Sequence, residues 1–165
     1  MVLNFTSLLT TKINATFLCL TFFNLQQDIK LDNEGLSNVC LYSQDLITIS
    51  EEENFNPFIL SSLIYQESRW KNNLVSTKSA CGLTQVLTKY LGVNCDFLHR
   101  NPDLAIQTGL HVLSIYLEHT NGDLHKALEC YSTGYKCNYP KYAKNILKRA
   151  ALFEEKYNEI VSQYD

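Results

Sequence analysis

The sequence predicts an all-α fold in a single domain. Two pairs, Asn56-Pro57 and Asn101-Pro102, each place a capping side chain before a proline at the first helical position, where the missing N–H costs nothing. Apolar residues recur every three or four positions after each pair, as they do on one face of a helix. No segment shows the strict alternation of apolar and polar residues that predicts a strand. A chain of 165 residues is long enough for one domain with its own core.

The other elements follow from the same pattern. A weak helical pattern over residues 28–50 predicts an N-terminal helical segment, and the polar residues 71–80 predict a loop. We expect a second short helix from Gly82 to Gly92, because its apolar residues share one face. These apolar residues are Leu83, Val86, Leu87 and Tyr90. The longer helices begin at or just after a capping residue or a proline, namely at Pro57, Pro102, Asp123 and Pro140.

The first 27 residues contain an apolar stretch from Ile13 to Leu25. This stretch is short for a membrane span and has the length of a signal-peptide hydrophobic region. However, only Lys12 is charged before Asp28, and no small-residue cleavage site follows. Residues 1–27 are therefore interpreted as an export signal, a membrane anchor or an N-terminal extension that packs on the domain. Membrane contact is expected only if they form an anchor.

The six cysteines are many for a cytosolic protein of this size and favour an oxidising compartment. Sequence alone does not choose among the pairings, and buried free thiols are an equally good alternative. Two pairings are attractive because they close short loops, namely Cys81 with Cys95 and Cys130 with Cys137. Cys19 and Cys40 are then left over.

Composition excludes several classes of function. The formal net charge is -3 and the sequence pI is about 5.8, without the basic footprint of a nucleic-acid-binding protein. The chain has no Cys-x-x-Cys or His-Glu-x-x-His pattern, so we expect no metal site. We also expect no cofactor.

Glu67 is the candidate catalytic residue. Leu60, Leu63, Ile64 and Glu67 stand at positions i, i+3, i+4 and i+7, so the carboxyl group points where the core points. Burial disfavours the charged form of a carboxylate, which makes such a position costly without a chemical role. Residues 68–95 contain no Asp or Glu that could supply a second carboxylate close by in sequence. This pattern is typical of an enzyme that uses one carboxylate.

An ordered set of short motifs spans residues 54–150. The set is Glu67-Ser68, Ser76, Gly82-Leu83-Thr84-Gln85, Asn101-Pro102, Ala127-Leu128-Glu129-Cys130-Tyr131-Ser132-Thr133-Gly134 and Tyr139-Pro140-Lys141-Tyr142. In order and spacing it resembles the soluble lytic transglycosylase (SLT, goose-lysozyme-like) domain family. The resemblance implies a lysozyme-like helical domain with a catalytic cleft over residues 54–160. The weak helical pattern before it predicts an N-terminal helical segment over residues 28–53.

The resemblance also implies a mechanism. Glu67 would protonate the glycosidic oxygen between N-acetylmuramic acid and N-acetylglucosamine in peptidoglycan. The resulting carboxylate would then take the proton of the C6 hydroxyl of the same muramic acid, which closes into a 1,6-anhydro product without consuming water. Most glycosidases instead require a second carboxylate. A distant acid such as Asp96, Asp103 or Asp123 could still fold nearby.

Five further residues are implied to bind substrate. Ser76 and Gln85 would hydrogen-bond the glycan near the scissile bond, Tyr131 would contact the catalytic carboxylate, and Tyr142 would line the cleft. Ser132 stands where the family usually has Asn, so one sugar hydrogen bond is lost or remade. Thr84 replaces the usual Met, which we expect to alter packing along the cleft floor.

Peptidoglycan glycan strands are the implied substrate, and virion or secretion-apparatus proteins are further candidate partners. The expected location is periplasmic, otherwise extracytoplasmic, or virion-associated. The small size and the Cys-Gly-Leu-Thr-Gln variant look most like bacteriophage members, with secretion-system or pilus-associated members second. Two alternatives remain, a hydrolytic muramidase on the same fold and a glycan-binding component without catalysis.

Overall fold

The computed structural model describes residues 12–164 and confirms the all-α prediction. In this part of the chain there are seven α-helices and one small antiparallel pair of strands. Short 3-10 turns cover Thr88–Tyr90 and Gly134–Lys136. In chain order the elements are α1 Ala15–Leu25, α2 Asn33–Glu52, α3 Pro57–Ser68, β1 Ala80–Cys81, β2 Val86–Leu87, α4 Cys95–Arg100, α5 Pro102–His119, α6 Leu124–Thr133 and α7 Pro140–Val161.

Helix α3 is the buried centre of the fold. The Asn56 side chain begins it as predicted, because its Oδ1 accepts hydrogen bonds from the backbone N–H groups of Phe58 at 2.8 Å and Ile59 at 3.2 Å. The helix is apolar on most sides, as expected for a helix surrounded by others. It packs mainly against α7 and also against α2. Its fully buried apolar side chains are Leu60, Leu63 and Ile64.

Helix α1 belongs to the same core. Leu18 and Phe22 are fully buried, and the helix packs against α2 and α7. Residues 12–27 of the predicted N-terminal segment are thus part of the packed structure, whereas residues 1–11 lie outside the described residues. No helix within residues 12–164 has the length and apolar character needed to cross a membrane. The assignment of residues 1–27 as a signal, an anchor or an extension stays a prediction.

The predicted helix from Gly82 to Gly92 is wrong. Ala80 pairs with Leu87 and Cys81 with Val86 in an antiparallel hairpin, whose turn contains two residues with positive φ, Gly82 at 74° and Gln85 at 49°. These backbone angles are incompatible with a continuous helix. The apolar spacing misled the prediction, because Leu83 and Val86 are buried, while Leu87 is 36% and Tyr90 is 73% exposed.

All six cysteines are paired. The two short-loop pairings form as predicted, the two cysteines left over pair with each other, and the alternative of free thiols is wrong. The Cys19–Cys40 disulfide ties α1 to α2, Cys81–Cys95 ties the hairpin to α4, and Cys130–Cys137 closes the end of α6.

Helix α4 was not predicted, although Asn94 caps it through a hydrogen bond from the backbone N–H of Phe97 at 2.8 Å.

Candidate active site

Glu67 is the penultimate residue of α3, at the end of the buried helix where its spacing predicted it. The helix ends because Arg69 adopts a left-handed conformation, with φ 51°. Trp70 follows and is fully buried, with its ring edge-on to Phe22 at 5.7 Å between centroids. The side-chain amide of Asn38 donates a hydrogen bond to the Trp70 carbonyl at 2.8 Å. Contacts from α1 and α2 therefore fix the backbone beside the carboxyl group.

The environment of Glu67 keeps its carboxyl group partly protonated near neutral pH. Burial raises the pKa of Glu67 from 4.5 to about 7, and a hydrogen bond from the Tyr142 hydroxyl partly opposes this rise. Neither influence is a second carboxylate. A carboxylic acid with a pKa near 7 can donate a proton and can accept one again at neutral pH.

The hydroxyl contacts of the two candidate tyrosines differ from those expected. The hydroxyl of Tyr142, in the first turn of α7, donates to Oε1 of Glu67. The hydroxyl of Tyr131, on α6, donates instead to the Thr84 carbonyl at 2.8 Å. Burial, followed by the charge of Glu67, raises the pKa of both tyrosines well above the ordinary value, so both stay protonated donors. Tyr142, predicted as a cleft-lining residue, thus makes the carboxyl contact that was assigned to Tyr131.

Thr84 connects the hairpin turn to α5. Its side chain is fully buried, and its hydroxyl donates to the Ala105 carbonyl at 2.7 Å. It packs directly over Gly109, where a Cβ atom would lie only 2.6 Å from Thr84 Oγ1. Since the Thr84 carbonyl also accepts the Tyr131 hydroxyl, one residue joins the hairpin to α5 and α6. Thr84 stands where the family that the sequence resembles usually has Met. The smaller Thr side chain leaves room for α5 to approach the turn closely at Gly109.

Ser76 and Gln85 lie in the segment of loop and hairpin that follows α3 in the sequence. The side chain of each residue stabilises this segment through hydrogen bonds. Ser76 Oγ accepts hydrogen bonds from the backbone N–H groups of Ala80 at 3.0 Å and Lys78 at 3.3 Å. Gln85 Nε2 donates to the carbonyls of Leu74 at 3.1 Å and Gly82 at 3.0 Å. The Ser76 hydroxyl proton and the Gln85 amide oxygen take no part in these bonds. A donor and an acceptor for a ligand thus remain, and their roles in glycan binding stay predictions.

Ser132 is exposed on α6, one position after Tyr131. A short side chain here leaves more space than the Asn usual in the resembling family. Its predicted contact with sugar stays a prediction.

Sequence reasoning missed Arg149, which holds the end of α3 against α7. Its Nη2 donates to Gln66 Oε1 at 3.2 Å, and its Nη1 lies 3.4 Å from the Ser62 carbonyl. The guanidinium also lies 4.4 Å from the centroid of the Tyr65 ring, a cation–π contact. One pattern could have indicated it, because Arg149 stands seven positions after Tyr142 and so on the same face of α7.

Glu129, on α6, is a fully buried carboxylate whose burial the sequence did not indicate. Its side chain is 2% exposed, lies 3.1 Å from Lys126 Nζ in an ion pair on α6, and lies 3.2 Å from His125 Nδ1. Lys126 Nζ also donates to the Cys137 carbonyl at 3.3 Å, which ties α6 to the loop that follows. These partners give Glu129 a structural role. Within residues 12–164, no group of three His, Cys, Asp or Glu side chains is arranged to hold a metal ion.

Comparison with known proteins agrees with this geometry. The family model described as the transglycosylase SLT domain matches residues 46–151, well over half of the chain. Searches of curated proteins and of solved structures found no significant match. The matched range includes the catalytic candidate Glu67 and all five candidate substrate-binding residues. The chain therefore belongs to the transglycosylase SLT domain family, a family of lytic transglycosylases that act on peptidoglycan.

Proposed function

We propose that the protein cleaves the N-acetylmuramic acid-(β1,4)-N-acetylglucosamine bond of peptidoglycan and forms 1,6-anhydro-N-acetylmuramic acid. One observation carries the proposal. Glu67 is a partly buried carboxyl group with a pKa of about 7, bonded to the Tyr142 hydroxyl and perturbed by no second carboxylate. Such a group can serve as both the acid and the base of one reaction cycle.

In the first half of the reaction, protonated Glu67 donates its proton to the glycosidic oxygen. The bond between this oxygen and C1 of the muramic acid breaks, and N-acetylglucosamine leaves with a free hydroxyl group. Positive charge develops at C1, while Glu67 becomes a carboxylate. The Tyr142 hydroxyl stabilises this carboxylate because it already donates to Oε1.

In the second half, the C6 oxygen of the same muramic acid bonds to C1. Its proton passes to the Glu67 carboxylate, which restores the carboxylic acid for the next cycle. Bonds and protons balance without water. The Tyr142 hydroxyl stays protonated throughout, because burial and the neighbouring charge raise its pKa well above the ordinary value.

The supporting residues are proposed to orient the glycan. Ser76 lies in the loop after α3, Gln85 lies in the hairpin turn, and Ser132 lies on α6. Each has a polar atom that the loop bonds leave free for sugar hydroxyl or acetamido groups. Tyr131 supports the hairpin turn through the Thr84 carbonyl.

The main alternative is a hydrolytic muramidase on the same fold. Hydrolysis requires a carboxylate that activates water or attacks the sugar. The buried candidate, Glu129, is held by His125 and Lys126, which argues against such a role. A component that only binds glycan would gain nothing from a buried carboxyl group with a raised pKa, since such a group reduces stability at neutral pH.

The proposed setting is extracytoplasmic or virion-associated, with local wall degradation as the task. Three disulfides support an oxidising compartment. Phage infection or lysis and the passage of a secretion apparatus through the wall are the two contexts we propose. The corresponding protein partners would be virion or secretion-apparatus components.

The catalytic role is tested by replacing Glu67 with Gln. The Gln side chain has the same shape, but its amide cannot donate or accept the proton that the carboxyl group exchanges. We expect clearance of purified sacculi to fall at least about a hundredfold. Glu118→Gln is the matched control, because it removes an exposed carboxylate on α5. Glu129→Gln tests the second buried carboxylate and is expected to retain activity in the folded protein. Retained clearance by the Glu67→Gln variant would contradict the proposal.

A further inference from the structure

Two exposed tyrosines border the short segment that joins α6 to α7. Tyr135 is 66% and Tyr139 is 45% exposed. In sequence they lie between Tyr131 and Tyr142, the tyrosines of the candidate site. A single exposed aromatic residue needs no explanation, so the argument depends on how each of these two is held.

Tyr139 continues the wall of the site toward solvent. Its ring centroid lies 6.2 Å from that of Tyr142, with the two planes inclined by 33°. Since the Tyr142 hydroxyl is bonded to Glu67, one aromatic contact separates Tyr139 from the partner of the catalytic carboxyl. The backbone is restrained as well, because Pro140 follows and the Tyr139 carbonyl accepts the N–H of Tyr142 at 3.1 Å.

Tyr135 is held by two edge contacts. Its ring centroid lies 5.4 Å from that of Tyr116 at an interplanar angle of 70°, and 4.8 Å from that of His119 at 83°. The Cys130–Cys137 disulfide closes the loop around it. With two-thirds of the residue exposed, the ring retains surface for a ligand although its neighbours restrict its movement.

We propose that Tyr139 and Tyr135 form an aromatic subsite on which successive sugar units of the glycan strand stack beside Glu67. This proposal rests on the proposed function, because it names the part of the same substrate that these residues bind. The pyranose ring of a hexosamine has an apolar face of C–H groups that a flat aromatic ring can cover. Tyrosine suits this task because it offers a large contact area at low cost in conformational entropy. The contact of Tyr139 with Tyr142, whose hydroxyl is bonded to Glu67, favours a glycan over an unrelated partner.

The test measures binding without turnover. Tyr139→Ala and Tyr135→Ala are each introduced into the Glu67→Gln protein, and affinity is measured for purified sacculi and for glycan strands stripped of peptide by an amidase. Each substitution is expected to weaken binding to both probes by roughly threefold to tenfold, as for loss of one aromatic contact. Tyr139→Phe is expected to bind like its parent. Tyr164→Ala is the matched control, since Tyr164 is 69% exposed and contacts Phe17.

Several results would overturn the subsite. These are unchanged affinity in both alanine variants, a loss confined to sacculi that carry peptide, an equal loss in Tyr164→Ala, or no binding by the parent. Thermal unfolding of each variant shows whether a loss of binding reflects loss of fold. If the alanine variants unfold, Tyr139→Leu provides a second test, because it keeps an apolar side chain of similar bulk without the aromatic face and is expected to weaken binding. Activity separates this subsite from the proposed chemistry. In the catalytically active protein, Tyr139→Ala should raise KM and leave kcat and the product unchanged. Absence of anhydro product with weakened binding in the alanine variants would refute the proposed chemistry and retain the subsite.

Discussion

The hydroxyl of Tyr142 donates a hydrogen bond to Oε1 of Glu67, and this bond joins the first turn of α7 to the last turn of α3. Burial and this bond act in opposite directions on the carboxyl group. Burial raises the pKa of Glu67 and the bond lowers it, with a result of about 7. The pair therefore sets the pH range in which the proposed acid can work.

Replacing Tyr142 with Phe removes the donor that stabilises the carboxylate. We expect the pKa of Glu67 to rise, so the loss of activity at alkaline pH should move higher by roughly one pH unit. The maximal rate should fall about tenfold, because the carboxylate formed in the first step loses its hydrogen bond. The measurement is kcat/KM against pH.

Tyr131→Phe is the matched control for that series. It removes a buried hydroxyl that donates to the Thr84 carbonyl and not to Glu67, so the alkaline limb should stay in place. A moved limb in Tyr131→Phe together with an unmoved limb in Tyr142→Phe would refute the assignment of the bond.

Glu67 is also expected to make stability depend on pH. Its pKa is about 7 in the folded state and ordinarily 4.5, so the folded state binds the proton more tightly than the unfolded state does. The contribution of Glu67 is fully present below pH 4.5 and is lost as pH rises through 7. At pH 8 the cost approaches about 3 kcal/mol of unfolding free energy.

The Glu67→Gln variant should escape this cost, since its amide stays neutral. In urea unfolding at pH 8 we expect it to be more stable than the wild type by about 1–3 kcal/mol, with the difference disappearing near pH 4. Glu118→Gln should show no such dependence. An equal stability of wild type and Glu67→Gln at both pH values would show that the carboxyl group is not held in a raised-pKa environment.

The helices could be predicted where their causes are local. Asn56 and Pro57 begin α3 through a cap and a fixed φ, and the spacing of apolar residues then shows its buried face. The hairpin could not be predicted in this way, because it depends on positive φ angles at Gly82 and Gln85. The spacing of apolar residues carries no information about these backbone angles.

The candidate site shows the same division. Glu67 could be found because one helical stripe reveals its burial. Which tyrosine hydroxyl reaches it could not be found, since Tyr131 and Tyr142 lie on separate helices and their distances depend on how α6 and α7 pack. The contacts of Arg149 with Gln66 and of Tyr139 with Tyr142 could not be found either, because they exist only in the folded chain.

The contact between Thr84 and Gly109 predicts a steric penalty on α5. In Gly109→Ala, the added methyl group would lie 2.6 Å from Thr84 Oγ1, so the turn or the helix must shift. We expect a loss of about 1–3 kcal/mol of unfolding free energy, measured by urea denaturation. Gln107→Ala, exposed on the same helix, should change stability little. A stabilised Gly109→Ala protein would mean that the hairpin turn does not approach α5 so closely.

The disulfides predict a thiol count. Oxidised protein, unfolded without reductant, should show no reactive thiol, and all six cysteines should react after reduction. Replacing Cys19 and Cys40 together with Ser should cost about 2–4 kcal/mol, because the bond between α1 and α2 no longer restrains the unfolded chain. Two or more reactive thiols in the oxidised protein would contradict the pairing.

The most direct test of Glu67 as both acid and base is the origin of the oxygen atoms in the product. Purified sacculi are digested in heavy-oxygen water, and the released muropeptides are analysed by mass spectrometry. Intramolecular closure by the C6 hydroxyl predicts 1,6-anhydro ends, one water lighter than hydrolysed ends and free of the heavy isotope. Reducing ends that carry one heavy oxygen atom would show that water attacks C1, and the lyase mechanism would be wrong.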